Sequence, residues 1–142
     1  VEVDFAALSS QLEGNDTKVN INNFFTIGKD VYSYDTLHNK IYKYNYARNE
    51  SGIINSLVNN ERKIKLAAPT DNGLIIYTNP PGLYKLDISD NRMSAANLDT
   101  GSWTNAEDII AYTSKLYLLD PGNNQMAILK LRHSLKITPI SV

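Results

Sequence analysis

Cysteine is absent from the 142 residues of this chain. Its absence excludes disulfide bonds, thiolate metal sites and cysteine nucleophiles together. Glycine is sparse, with seven residues, and neither a Walker loop nor a G-x-G-x-x-G pattern occurs, which excludes nucleotide binding by those routes. No apolar run approaches the roughly 20 residues that a membrane-spanning helix needs, so we expect no membrane insertion of this segment.

An excess of either charge sign is also missing. Lysine and arginine number 14 and the acidic residues number 15, which gives a formal net charge of -1. Nucleic acids and anionic membranes attract proteins with clustered positive charge, so the composition predicts no nucleic-acid partner. The sequence opens on Val1 rather than methionine. We therefore expect a processed or excised segment of a longer protein.

The residues that are abundant point to a β structure. Hydrophobic residues make up 42% and charged residues 20% of the chain, as in a globular domain rather than a disordered one. Tyrosine outnumbers phenylalanine nine to three, and asparagine is frequent. Because tyrosine favours strands and asparagine favours turns, the composition predicts short strands joined by tight hairpins.

One hairpin pattern occurs three times. Residues 31–45 align without a gap with residues 116–130, and each copy reads as a strand, a turn and a second strand. Tyr32 aligns with Tyr117. In the turn, Asp35 aligns with Asp120 and Asn39 aligns with Asn124. Between them lies another copy, the second in chain order, at residues 74–87, which replaces this turn with Pro80, Pro81 and Gly82. The copy at residues 116–130 is therefore the third.

The spacing between copies is about 42 to 43 residues, which is typical of propeller blades with four strands each. A short apolar segment precedes each hairpin, at residues 24–27, 65–68 and 108–112, and fits the strand nearest a propeller axis. More polar stretches at 53–58, 93–98 and 134–140 fit outer, fourth strands. The sequence therefore predicts an all-β, propeller-like fold of about three four-stranded antiparallel blades, a partial or half propeller.

The predicted organisation has two parts. Residues 1–21 form an N-terminal segment, either an outer strand of a preceding blade or a short helix, because both templates fit its apolar residues equally well. Residues 22–142 form the three-blade region, with blades at approximately 22–63, 64–105 and 106–142.

Three blades are too few for a closed ring, since typical propellers have four to eight. Left open, they would expose two apolar sheet faces. The expected partners are therefore further propeller blades, or a second copy of the chain that completes a six-bladed ring with two-fold symmetry.

The third copy resembles blades of known propellers. Its Leu-Tyr-Leu-Leu-Asp-Pro run, Asn-Asn-Gln turn and apolar strand, at residues 116–129, resemble bacterial propellers of the broad NHL, YWTD and TolB-like type. Residues 103–108 look like the beginning of such a blade, and the resemblance spans about residues 22–131. It implies a binding or scaffold module, and it favours a bacterial extracytoplasmic or cell-surface location.

No pattern in the sequence predicts catalysis. The two histidines, His38 and His133, lack metal-ligand spacing, and we expect both to be solvated. Ser134 adjoins His133, but neighbouring residues of a strand point to opposite faces, which argues against a triad. Asp35 and Asp120 are predicted to hold turns rather than ligands. The candidate surface aromatic residues are Tyr46, Trp103 and Tyr112, with Trp103 favoured as a packing residue.

The sequence thus predicts a non-catalytic binding or scaffold module, a portion of a β-propeller that interacts with a protein or other ligand. It predicts no catalytic, cofactor-binding or metal-binding residue and no cofactor, and it leaves the binding residues undetermined. Two alternatives stay open. The chain is a fragment of a propeller enzyme whose catalytic groups lie elsewhere in the full chain, or it is a half-propeller that homodimerises into a six-bladed ring.

Overall fold

The computed structural model describes residues 3, 5–12, 14, 16–54, 62–96, 105–131 and 137–140. Within these residues the chain forms twelve strands in three four-stranded antiparallel sheets. This confirms the predicted all-β fold of three blade-like units.

Each sheet is a meander in which consecutive strands are neighbours. The first sheet consists of β1 (Asn23–Ile27), β2 (Asp30–Asp35), β3 (Lys40–Asn45) and β4 (Glu50–Ile54). The second consists of β5 (Lys63–Thr70), β6 (Gly73–Asn79), β7 (Gly82–Asp87) and β8 (Arg92–Ala96). The third consists of β9 (Asp108–Tyr112), β10 (Lys115–Asp120), β11 (Gln125–Leu131) and β12 (Ile137–Ile140).

The fourth strands begin earlier than predicted in the first two sheets. We expected them at residues 53–58 and 93–98, whereas β4 begins at Glu50 and β8 at Arg92. Asn49 and Asn91 end the preceding turns in the left-handed region, with φ of 50° and 55°, so the chain returns to the extended conformation at the next residue. Residues 55–58, 97–98 and 134–136 of the predicted outer strands lie outside the described residues.

The three sheets pack front to back. We call the face of a sheet that points toward the next sheet along the chain its front face, and the opposite one its back face. On the third sheet, the back face is the one packed against the second sheet, and the front face is the other. Two buried apolar clusters fill the contacts between neighbouring sheets. The innermost strand β5 contacts both β1 and β9, so the first strands of all three sheets converge on one side. The largest fully buried side chains in the first contact are Tyr32, Ile41, Leu74, Ile76 and Leu86, and those in the second are Ile75, Tyr77, Leu83, Leu116, Leu118 and Leu129.

Burial along the second strand of each sheet reflects how many of its faces are covered. Strand β6 is buried at every residue from Gly73 to Thr78, because sheets lie on both of its sides. Strand β10 instead alternates, with Leu116 and Leu118 buried on the back face and Leu119 exposed on the front face. Alternation is the pattern of a sheet with one covered face, so the third sheet has an open front face.

The back face of the first sheet is covered by the N-terminal segment. Ala6–Gln11 form a short 3₁₀ helix, and the buried residues around it are Phe5, Leu8 and Leu12. They pack against Val31, Tyr42 and Tyr44 of the sheet. The Phe5 ring lies 5.9 Å from the Tyr42 ring, centre to centre, and 6.4 Å from that of Tyr44. The expectation of two exposed faces is therefore wrong, because this segment takes the place of a preceding sheet.

We predict that the contact between the first two sheets carries much of the stability. Ile76→Ala removes a fully buried side chain from that contact and should lower the free energy of unfolding by about 2–5 kcal/mol. The matched control is Ile110→Ala, in an exposed strand position, which should cost at most about 1 kcal/mol through strand propensity. Urea unfolding followed by circular dichroism measures both, and equal losses would contradict this account of the core.

Candidate functional site

The recurring aspartates stabilise the turns between the second and third strands. Asp35 Oδ1 accepts a hydrogen bond from the backbone N–H of His38 at 2.9 Å. At the aligned turn, Asp120 Oδ1 accepts one from the backbone N–H of Asn123 at 3.2 Å. Asn39 and Asn124 follow with φ of 56° and 52°. These contacts are those of the predicted turn chemistry.

The second sheet closes the same turn differently. Thr78 stands where the other two sheets have aspartate, and its hydroxyl donates to the carbonyl of Pro80 at 2.8 Å. The same position is therefore aspartate in the first and third sheets and threonine in the second, and each side chain bonds to the backbone of its turn. This argues for a turn role and against a ligand site repeated in every sheet.

Asp35 also lies at the centre of a buried polar network, which its counterpart in the third sheet does not form. Its Oδ2 accepts hydrogen bonds from the Tyr42 hydroxyl at 2.5 Å and from the backbone N–H of Asn20 at 3.0 Å. His38 Nδ1 lies 2.7 Å from the same oxygen. Burial acts to raise the pKa of Asp35, but the hydrogen bonds from Tyr42, Asn20 and His38 outweigh it, and the pKa is lowered.

The prediction of a solvated His38 is wrong. Its side chain is almost fully enclosed, with Nδ1 facing the Asp35 carboxylate and Nε2 facing the backbone carbonyl of Asp16. Both partners accept hydrogen bonds and neither donates, so both ring nitrogens carry protons and His38 is an imidazolium ion. The bond to the Asp16 carbonyl, followed by that to Asp35, raises the pKa of His38.

The Asp35–His38 pair binds the segment before β1 to the first turn, and its geometry is not that of a catalytic pair. A general base needs a free nitrogen directed at a substrate, whereas Nε2 of His38 is engaged by a backbone carbonyl. Among the described residues there is also no group of three or more His, Asp or Glu side chains placed to hold a metal ion. Through Asp16 and Asn20, the network instead ties the residues before β1 to the first turn.

The sequence contains one sign of the Asp35 network, a difference between the first and third copies of the hairpin. The first copy has His38 and Tyr42, where the third has Asn123 and Ala127 in the aligned positions. Asn123 donates its side-chain amide to Asp120 Oδ2 at 2.8 Å, so it replaces the histidine within the turn, but within the described part of the chain it makes no link to a distant segment.

The candidate surface aromatic residues occupy separate places. Tyr46 is exposed on the β3–β4 turn and packs edge-on against the Tyr44 ring at 5.5 Å. Tyr112 is exposed at the end of β9 on the front face of the third sheet. Trp103, His133 and Ser134 lie outside the described residues.

A groove of about 240 Å³ lies between the innermost strands of the three sheets. Its walls come from β1, β5 and β9, and its polar groups include Asn23, Tyr34 and Asp108. Burial and the nearby Asp108 carboxylate raise the pKa of Tyr34, which keeps its hydroxyl protonated and able to donate. The groove therefore combines an apolar floor with one acidic and two neutral polar groups.

Exposed apolar side chains gather beside the first turn, near the beginning of β1. Ile21, Phe24 and Leu37 are all exposed. Their segments adjoin, because Asn22 Oδ1 accepts hydrogen bonds from the backbone N–H and the hydroxyl of Thr36 at 2.7 and 3.1 Å. We call Ile21, Phe24 and Leu37 the turn-side patch.

The front face of the third sheet is the larger open surface. Strand register places six apolar or aromatic residues on it, namely Ile110, Tyr112, Tyr117, Leu119, Met126 and Ile128, together with the charged residues Asp108, Lys115 and Lys130. Four of the six (Ile110, Tyr112, Leu119 and Met126) are large and exposed. We call the six apolar or aromatic residues the open front face.

Comparison with solved structures decides the fold. The N-terminal domain of Nup159 superposes with a TM-score of 0.64 at 15% identity, over 89% of this chain and 31% of that chain. The chain folds as part of a β-propeller. A second match, at a TM-score of 0.61 and 16% identity, belongs to an S. cerevisiae complex described as a Dbp5 variant bound to Nup159, a Gle1 variant, IP6 and ADP. It covers 84% of this chain and 29% of that chain.

This propeller segment spans less than a third of each of those solved chains. The resemblance to bacterial NHL, YWTD and TolB-like propellers is not confirmed by these matches, although the propeller architecture is. No protein-family model and no curated protein matches the sequence. Among the described residues, no helix is both long and apolar enough to span a membrane.

We predict that the hydroxyl of Tyr42 stabilises the chain through the Asp35 carboxylate. Tyr42→Phe should lower the free energy of unfolding by about 1.5–3 kcal/mol, the usual range for a hydrogen bond to a charged group. The matched control is Tyr44→Phe, on the same strand and face, whose hydroxyl donates to the neutral amide oxygen of Asn49. It should cost about 0.5–1.5 kcal/mol. Urea unfolding at neutral pH measures both, and a larger loss for Tyr44→Phe would refute the ranking.

We predict a pH-dependent contribution from His38. Because the pKa of His38 is raised on folding, its contribution is complete below about pH 6.5, the ordinary histidine value, and is lost as pH rises through the folded-state pKa. The difference in unfolding free energy between the native chain and His38→Gln should shrink over that interval. Unfolding curves from pH 5 to 9 test this, with the ring titration followed by NMR. A difference that grows with pH would contradict the imidazolium assignment.

Proposed function

We propose that this chain is a non-catalytic binding or scaffold module, a portion of a β-propeller that binds a protein partner. The observation that carries the proposal is the exposed turn-side patch, which shares strand β1 with the groove between β1, β5 and β9. Phe24 of the patch stands between the groove residues Asn23 and Phe25 in the chain and points to the opposite face of the sheet. Loops and strand ends held by a rigid scaffold are the usual place for binding residues.

The chemistry of this region suits a protein surface better than a reacting small molecule. The turn-side patch offers large exposed apolar side chains, and the groove offers Asn23 and the Tyr34 hydroxyl as hydrogen-bonding groups beside the Asp108 carboxylate. An apolar centre with a few polar groups at its edge is the common anatomy of a protein interface. The similar Nup159 propeller is itself described in a complex with other proteins, which favours the same kind of partner here.

The non-catalytic part of the proposal is supported by the contacts of the buried Asp35–His38 pair. The second ring nitrogen of His38 is engaged by the Asp16 carbonyl, so a substrate would have to break the link to the N-terminal segment before it reached a base.

We predict that the turn-side patch is needed for partner binding. The double variant Phe24→Asp, Leu37→Asp places two charges on exposed positions and should leave folding intact while it reduces recovery of a specific partner at least tenfold. The control is Tyr46→Asp, another exposed aromatic position, on the β3–β4 turn at the opposite end of the sheet.

The measurement is affinity purification of the tagged protein from its own source cells, quantified by mass spectrometry. Loss of a protein with the double variant but not with Tyr46→Asp supports the proposal. Equal recovery with all three forms, or turnover of a small molecule that the double variant retains, refutes it.

A further inference from the structure

We propose that the open front face is an interface for one more four-stranded sheet, packed in the same front-to-back order, and that it is not built for a second copy of this chain. The inference rests on the proposed function only in treating the chain as a portion of a propeller. It goes further in naming the occupant and its chemistry: an antiparallel sheet whose back face presents aliphatic side chains.

Strand register shows that the three front faces are equivalent. Tyr34, Tyr77 and Leu119 pair with the innermost strand at matching positions, opposite Asn23, Leu66 and Asp108. Tyr34 is 7% exposed and Tyr77 1%, because the next sheet covers each of them, whereas Leu119 is 43% exposed.

The third strands of the sheets repeat this contrast. Ile41, Leu83 and Met126 lie opposite the three residues just named, and their exposed fractions are 0%, 1% and 44%. The open front face thus has large apolar residues in the register that is buried twice elsewhere in the chain.

The side chain of Asn124 is placed to make a hydrogen-bonded link to a following sheet, as Asn39 does in the first sheet. Its aligned counterpart, Asn39, donates its side-chain amide to the carbonyl of Arg62 at 3.0 Å and accepts from the N–H of Ile64 at 2.8 Å. These two bonds fix the beginning of β5, the first strand of the next sheet, to the turn of the preceding one. Asn124 has the same left-handed backbone, yet its side chain makes no hydrogen bond within the described part of the chain. A following strand would supply the missing backbone groups.

The back face that a second copy would need is already occupied. In a two-fold ring, each open front face would meet the back face of the partner's first sheet. That back face is covered by Phe5, Leu8 and Leu12. The chain that follows this segment is tied to the first turn, because the Asn20 N–H donates to Asp35 and the Asp16 carbonyl accepts from His38. A second copy would have to displace a packed apolar segment, whereas a separate sheet meets a face on which Ile110, Leu119 and Met126 are exposed.

The test uses a lengthened chain in which residues 97–142 are repeated after Ile140. Strand β12 ends at Ile140 as β8 ends at Ala96, so the repeat reproduces the natural connection between the second and third sheets. The repeated sheet brings a known complementary back face, formed by Ile109, Leu116, Leu118 and Leu129. Because the protein has no cysteine, a single Leu119→Cys substitution reports accessibility without background.

We predict that the thiol at position 119 of the original sheet reacts with a disulfide reagent at least tenfold more slowly in the lengthened chain than in the natural one. A thiol at the same position of the repeated sheet should react at the natural rate, since that sheet is now the open one. Leu116→Glu with Leu118→Glu in the repeat, or Asn124→Gly in the original sheet, should restore faster labelling.

Equal labelling of the original thiol in the two chains would overturn the proposal. So would a natural chain that sediments as a dimer at rising concentration and returns to monomer with Leu119→Glu, because a second copy would then be the occupant. The turn-side patch is untouched by these changes. A failure of sheet docking therefore leaves the partner-binding test intact, and a failure of partner binding leaves the labelling result intact.

Discussion

The structure depends on one kind of contact, the burial of apolar side chains between the front of one sheet and the back of the next. A four-stranded sheet cannot hide both of its faces by itself, so every sheet here depends on a neighbour. This dependence explains why β6, with sheets on both sides, is buried throughout, while β10, with one, alternates. It also explains why the chain tolerates two different turn chemistries between second and third strands, since the turns join the strands but the faces supply the stability.

The N-terminal segment solves the same problem at the first sheet by different means. Phe5, Leu8 and Leu12 supply apolar area without a strand, and a charged network makes up for the missing strand pairing. The Asp35 carboxylate is costly to bury, and it is stabilised only because Tyr42, Asn20 and His38 all donate to it. Ionisation of His38 is therefore coupled to its contact with the Asp16 carbonyl, in the stretch between the covering segment and β1.

The sequence was sufficient to predict the repeat, the hairpins and the turn role of Asp35 and Asp120, because these follow from local spacing and from residue types with strong backbone preferences. The 3₁₀ helix at Ala6–Gln11 was one of two alternatives, since its apolar residues fit either periodicity. The environment of His38 was not predictable, because its partner Asp16 lies 22 residues away and contributes a backbone carbonyl that no residue type reveals. The groove between β1, β5 and β9 likewise depends on how sheets converge, which is a property of their packing and not of any one strand.

The covered back face has a consequence for how copies of this chain can associate. A front face that fits the back face of an identical molecule makes a head-to-tail contact, and such contacts propagate into open filaments whenever the rotation does not close a ring. Because Phe5, Leu8 and Leu12 occupy the first back face, a second molecule could add its front face there only by displacing them. The few apolar residues before the first strand would thus oppose head-to-tail growth at its first step.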